Sequence, residues 1–268
     1  MLSLLGVVLA FMTVVMLVGW VVQGRVANGG WADVFWTFGT AAAAVGCALW
    51  PLSAYPAEPG RQALVAALAA IWGLRLGVYV ARRVAGGPED IRYAELREGA
   101  GDKFPQAMFA LMILQGPATA FLCVSVVIAA HAPGPWIGWR DLAAAAILAI
   151  AIIGEGIADA QLARFKADPA NRGKINDKGL WAWSRHPNYF FEWVGWLAYP
   201  VLASAFGIGS PEWLMSFAAP VLMYLLLTRV SGVPPVERSM LASRGEAFLA
   251  YRDRTSKFFL LPPKRSPR

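Results

Sequence analysis

Apolar residues come in long runs along this chain, and polar residues are pushed into the gaps between them. The runs fall at roughly 2–23, 32–53, 62–84, 105–130, 141–163, 188–208 and 212–231. Each approaches or exceeds the ~18–20 residues that a helix needs to cross a hydrocarbon core about 30 Å thick. No water reaches that core, so backbone N–H and C=O groups must be satisfied within the segment, which favours helix. The pattern predicts an all-α integral membrane protein, a seven-transmembrane-helix bundle folded as a single domain over residues 1–268. The first run, MLSLLGVVLAFMTVVMLVGWVV, has no basic leader and no small-residue cleavage site. It reads as a retained first span rather than a signal peptide.

Composition agrees with the pattern. The chain is 57% hydrophobic and only 15% charged, against about 25% charged in soluble domains, and its mean hydropathy is +0.49. A net charge of +7 would raise the question of nucleic acid in a soluble protein, but position explains it here. With alternate gaps assigned to one side, all of the 24 Lys and Arg except Arg61, Arg75 and Arg140 lie in or beside 24–31, 85–104, 164–187 and the C-terminal tail. The positive-inside rule then sets the N-terminus outside and the C-terminus in the cytoplasm. The outer loops SAYPAEPGR, HAPGPWIGWR and GIGSPE are short, so chemistry is expected on the cytoplasmic face. Cys47 and Cys123 lie inside apolar runs and read as small buried hydrophobes. With two histidines, His131 and His186, and no Cys/His cluster, no metal site is expected.

Ionisable residues inside a span cost about 2.5–3.5 kcal/mol each on translocon scales, so they should face the bundle interior. In the third run Trp72, Arg75, Tyr79 and Arg82 follow i, i+3, i+7, i+10 and share one helical stripe. In the fifth, Glu155, Asp159, Leu162 and Lys166 share another. Two carboxylates one turn apart need a cation or a donor between them, either an internal salt bridge or a ligand. The sixth run opens at HPNYFFEW, with Pro187 suited to a first helical turn and Asn188 and Glu192 on one face. The free N–H groups of that turn, with Arg185, would seat a phosphate. Asp33 and Trp36 flank one turn of the second run, and Asp33 either pairs with Arg75 or faces a ligand. The loop GGPEDIRYAELREG alternates acid and base and reads as a solvated helix. Together these give an inward-facing polar cavity with a basic rim, which fits a ligand with an anionic head, and also a transporter.

The combination of WGLRLGVYVARR, GGPEDIRYAELR, NDKGLWAWSRHPNYFFEWVGW and a tail with VERSM and AYRDRTSKFFLLPP resembles the steroid 5α-reductase family, more closely its bacterial branch. The resemblance covers roughly residues 30–263, and its most family-like part is 141–263. The DKGLW–RHPNYF–E block is its most specific element. A shorter RHPxY motif is shared with isoprenylcysteine methyltransferases and sterol reductases. The resemblance implies a seven-helix NADPH-dependent reductase of an α,β-unsaturated ketone, of the 3-oxo-Δ4 steroid type, in a bacterial inner membrane with the active site open to the cytoplasm.

By the same resemblance, Asp159 and Lys166 meet the cofactor, Asn188 and Glu192 hold the nicotinamide end, and Arg82 and Arg83 lie near the adenosine and phosphates. Arg229, Glu237 and Lys257 complete the rim, and Arg75, Glu155, Trp181, Arg185, His186, Tyr189, Arg238 and Tyr251 extend the expected cofactor set. His186 reads mainly as a loop-fixing residue. Lys and Arg at a rim suit a diphosphate and a 2′-phosphate. For the substrate carbonyl the expected catalytic residues are Asp33, Trp36, Trp72 and Tyr79. The family's Gln-Glu pair in the second span is replaced here by Asp33 and Trp36, and Asp33 would donate only if burial kept it protonated. The alternatives are an S-adenosylmethionine-dependent methyltransferase of the isoprenylcysteine type and an inactive sterol- or lipid-binding scaffold. No nucleic-acid partner is expected, and a monomer in the bilayer is compatible with the sequence.

Overall fold

The computed structural model describes residues 1–53 and 58–264. Residues 54–57, part of the expected outer loop SAYPAEPGR, lie outside the described residues. The helices in chain order are α1 (Leu2–Val26), α2 (Trp31–Leu49), α3 (Pro59–Gly86), α4 (Ile91–Ala100), α5 (Phe104–Ala130), α6 (Trp139–Ala167), α7 (Leu180–Trp183), α8 (Pro187–Trp196), α9 (Ala198–Ala203), α10 (Pro211–Met215), α11 (Ala218–Leu225), α12 (Val233–Arg244) and α13 (Glu246–Arg254). Among the described residues no strand is present beyond one isolated bridge, Ser184 to Ser256.

Among the described residues six helical stretches are long and apolar enough to cross a membrane: Leu2–Val26, Trp31–Leu49, Pro59–Gly86, Ile91–Ala130, Trp139–Ala167 and Pro211–Arg244. The run expected as a sixth span, 188–208, is instead split at Leu197 into α8 and α9. Pro200 supplies the reason, because it has no N–H to donate to the Trp196 carbonyl one turn earlier. Elsewhere the boundaries follow local chemistry. Glu58 and Asp90 cap α3 and α4 by accepting from Gly60 and Arg92 backbone N–H groups, and Ser210 caps α10.

The chain divides into two compact units, Met1–Ala145 with Leu197–Leu222, and Ala146–Trp196 with Met223–Arg268. In the first unit α1 buries one stripe, Leu4, Val8, Met12, Met16, Gly19 and Gln23, and leaves most of its other side chains exposed. Small residues let its helices approach closely, as in membrane packing generally. A Cβ on Gly73 of α3 would stand 2.1 Å from that of Ala41 on α2. Thr40 and Thr119 share a buried hydrogen bond of 2.8 Å between α2 and α5, and Cys47 and Cys123 are both free and buried.

One charge behaves unlike its sequence reading. Arg61, expected in an outer loop, is buried at the start of α3. It forms a two-pronged pair with Asp141 of 2.9 and 3.1 Å and donates to the carbonyls of Ala132, Pro133 and Pro135. A guanidinium has enough donors to fold that loop around itself.

Candidate functional site

In the second unit α6 and α8 run antiparallel in direct contact. A Cβ on Gly154 would fall 2.3 Å from the Phe191 ring, and one on Gly195 would meet Leu148 and Ala151 at 3.4 and 3.5 Å. That register brings Asp159 opposite Asn188, whose Nδ2 donates to Asp159 Oδ1 at 3.2 Å. One turn away it sets Glu155 level with Phe191 and Glu192. Glu155, Asp159 and Glu192 are 7%, 6% and 7% exposed, so three acidic side chains share one buried face. Trp196 Nε1 donates to Glu192 at 3.1 Å. The helical stripes expected for the fifth and sixth runs are therefore brought together.

The part of NDKGLWAWSRHPNYFFEW up to His186 serves a different purpose. Arg185 Nε donates to Glu237 Oε1 at 2.7 Å, and its Nη1 donates to the carbonyls of Arg252 and Thr255. His186 Nε2 lies 3.1 Å from the same Glu237 oxygen, and its ring stacks on Tyr189 with centroids 5.5 Å apart. Trp181 Nε1 donates to the Ala158 carbonyl at 3.0 Å, and Tyr251 Oη donates to the Trp181 carbonyl at 2.6 Å. Arg254 pairs with Asp177. Ser184 donates to the Phe258 carbonyl, and Phe258 and Phe259 join Phe190, Trp193 and Tyr224 in an aromatic cluster. The C-terminal tail thus clasps the 177–190 segment.

Several sequence expectations are corrected by this clasp. Arg185 does not seat an anion at the start of α8: it is 8% exposed and committed to Glu237 and two carbonyls. The Tyr189 N–H is taken by the Asn188 side chain at 3.0 Å, which removes one of the first-turn donors expected for a phosphate. Glu237, Trp181 and Tyr251 hold the tail in place through the bonds above. The loop-fixing reading of His186 agrees with its contacts. Burial holds its imidazole below the ordinary value despite the opposing pull of Glu237, and burial likewise raises the Tyr251 hydroxyl.

Outside the clasp, Lys166, Arg229, Arg238 and Lys257 are exposed, and Lys257 Nζ reaches the Thr228 carbonyl at 3.2 Å on the π-helical turn Leu226–Val230. Asn176, the first residue of the block, was not anticipated. It is 8% exposed and its Nδ2 has no hydrogen-bond partner among the described residues. A buried amide donor left open marks a place for an acceptor.

In the first unit Asp33 accepts from Tyr93 Oη at 2.7 Å and pairs with Arg92, which also grips Asp90 at 2.8 Å. Arg92 and Tyr93, rather than Arg75, are thus the partners of Asp33. Its partners come from the loop read as a solvated helix. That segment is tied down, with Tyr93 buried, Arg97 on Glu89 at 2.8 Å, and Glu89 on the Gly29 N–H at 2.7 Å. Arg97 above all holds the Glu89 carboxyl below its usual range. The spacing Asp90-Ile91-Arg92, a helix cap followed by its own cation, was the available signal. Along α3, exposure rises from Trp72, buried, through Arg75, half-buried over the Tyr79 ring at 5.6 Å, to exposed Tyr79, Arg82 and Arg83. Arg83 lies 3.6 Å from Asp90. Trp36 carries a buried indole N–H with no partner among the described residues. No group of three or more His, Cys, Asp or Glu among those residues is arranged to hold a metal ion.

A helical chain with six stretches, among its described residues, long and apolar enough to span a bilayer is a multi-pass membrane protein. It belongs to the DUF1295 family, described as a protein of unknown function, whose family model matches residues 19–255. No curated protein and no solved structure matches the chain.

Proposed function

We propose that the protein is an NADPH-dependent reductase of the C=C bond of an α,β-unsaturated ketone, related to the steroid 5α-reductases, with a 3-oxo-Δ4 steroid as the substrate class. We further propose seven crossings, the N-terminus outside and the basic loops in the cytoplasm. The observation that carries the reading is the α6–α8 face. Asp159, Asn188 and Glu192 are the residues that the family resemblance assigns to the cofactor; Asp159 and Glu192 are buried, and half-buried Asn188 bonds Asp159.

The residues present fit such a cofactor. An amide carries two N–H donors, and Asn188 spends one on Asp159. The second is available to a carboxamide oxygen, with Asp159 fixing the amide's orientation. Asn176 adds a buried, open donor. Exposed Lys166, Arg229, Arg238 and Lys257 supply positive charge for phosphates. The bound nicotinamide would supply the hydride that goes to the β-carbon of the enone, and a proton taken up from water at the α-carbon would complete the saturated ketone. On the protein side, a hydrogen bond to the substrate carbonyl would steady the negative charge that gathers on its oxygen.

Purified full-length protein, given progesterone and NADPH in detergent, should consume NADPH and release the saturated ketone. Thermal-shift titrations should show stabilisation by NADPH and none by S-adenosylmethionine. Stabilisation by the methyl donor alone would convert the protein into a methyltransferase. Binding of neither would remove both readings.

A further inference from the structure

A groove of about 430 Å³ runs along the first unit between α1 and α2. Phe11, Val14 and Val18 form its α1 wall, and Trp31, Phe35 and Phe38 form much of its α2 wall. Every residue lining it is apolar. Val14 and Val18 are 61% and 50% exposed, so the groove opens sideways toward the surrounding lipid. Its α2 wall runs from Trp31 to Ala42. At 1.5 Å per residue that is about 16 Å, the depth of one leaflet of a ~30 Å core.

The groove points at a charge. Phe11, Val14, Val18 and Arg25 follow i, i+3, i+7, i+14, so Arg25 continues the same stripe of α1 about 10 Å past Val18. Arg25 is exposed in the last turn of α1, a helix without a single carboxylate. Trp31, at the same end, is a residue type that settles at headgroup level. A one-leaflet apolar slot under an exposed cation complements an amphiphile with a long tail and an anionic head. Apart from the indole N–H of Trp31 at its headgroup end, the lining carries no hydrogen-bonding side chain to hold a ketone.

We propose that this groove holds one acyl chain of an anionic phospholipid whose headgroup sits at Arg25. The inference is independent of the cofactor reading. One Lys or Arg beside an anionic headgroup is worth about a fivefold preference.

The test is native mass spectrometry of the full chain carried with equal amounts of phosphatidylglycerol and phosphatidylcholine of identical acyl chains. Wild type should retain phosphatidylglycerol about fivefold over phosphatidylcholine. Arg25→Gln should bring that ratio near one while keeping adducts. Val18→Trp and Val14→Trp, which fill the slot from its exposed wall, should lower both lipids. Val7→Trp, on an exposed part of α1 outside the groove, should change neither. An unchanged ratio in Arg25→Gln, or adducts unchanged in both filling variants, would overturn the proposal. So would equal losses in Val7→Trp, or displacement of the lipid by progesterone, which would hand the groove to the substrate.

Discussion

The two parts of NDKGLWAWSRHPNYFFEW, up to His186 and beyond it, end in opposite circumstances. In the first, Asp177, Ser184, Arg185 and His186 are satisfied by the tail, through Arg254, Phe258, Glu237, Arg252 and Thr255. In the second, Asn188 and Glu192 project from α8 onto α6, where Asp159 and Glu155 are buried. Charge density alone therefore does not mark a binding site. A polar group in a loop is free to find a neighbouring carbonyl, whereas one fixed on a helix face keeps its direction and offers it to whatever fits.

The comparison breaks if the clasp can be cut without unfolding the unit. Glu237→Ala leaves buried Arg185 without its counter-charge, and removing one partner of such a pair costs about 3–5 kcal/mol. Thermal unfolding should show that loss, with Arg185→Ala similar. A variant that kept wild-type stability and lost only NADPH binding would move Glu237 to the other side of the comparison. Next in size is the α6–α8 contact. Gly154→Leu drives a side chain into the Phe191 ring and should cost about 1–3 kcal/mol as overpacking, read in the same melts.

Asn188→Ala should do the reverse of Glu237→Ala. It should weaken NADPH at least tenfold, the worth of about 1.4 kcal/mol, with a melting temperature close to wild type. The smallest effect is in pH. His186 resists protonation in the fold more than in the unfolded chain. Its contribution is therefore complete above the ordinary value of 6.5 and is lost as pH falls below it. Between pH 6.5 and about 5, wild type should lose stability more steeply than His186→Gln, by at most about 1.4 kcal/mol per pH unit for one proton. Equal slopes would mean that His186 is not held as its contacts imply.

Much of the fold was legible because membrane helices announce themselves by length and hydropathy. The 188–208 run reads as one unbroken helix and is interrupted at Leu197, because hydropathy ignores what Pro200 does to the helix ladder. Asp33 misled for another reason. Its partner was sought among residues on a neighbouring apolar run, yet it was found in Arg92 and Tyr93, whose alternating charges read as solvent-facing. Arg61 was placed in an outer loop, and its burial beside Asp141 depends on a meeting of α3 with α6 that no local pattern encodes. Asn176 escaped notice because an asparagine before a turn is ordinary until its amide is buried.

By itself, the sequence determined an all-helical, multi-pass membrane chain and the polar stripes on its helices, since both follow from the 3.6-residue period and the cost of polar groups in lipid. It also carried the block on which the functional reading rests. Only the tertiary structure decided which polar residues face each other on α6 and α8 and which are spent on the tail. Hydrogen bonds are short and directional, so which donors they consume depends on neighbours tens of residues away in the chain.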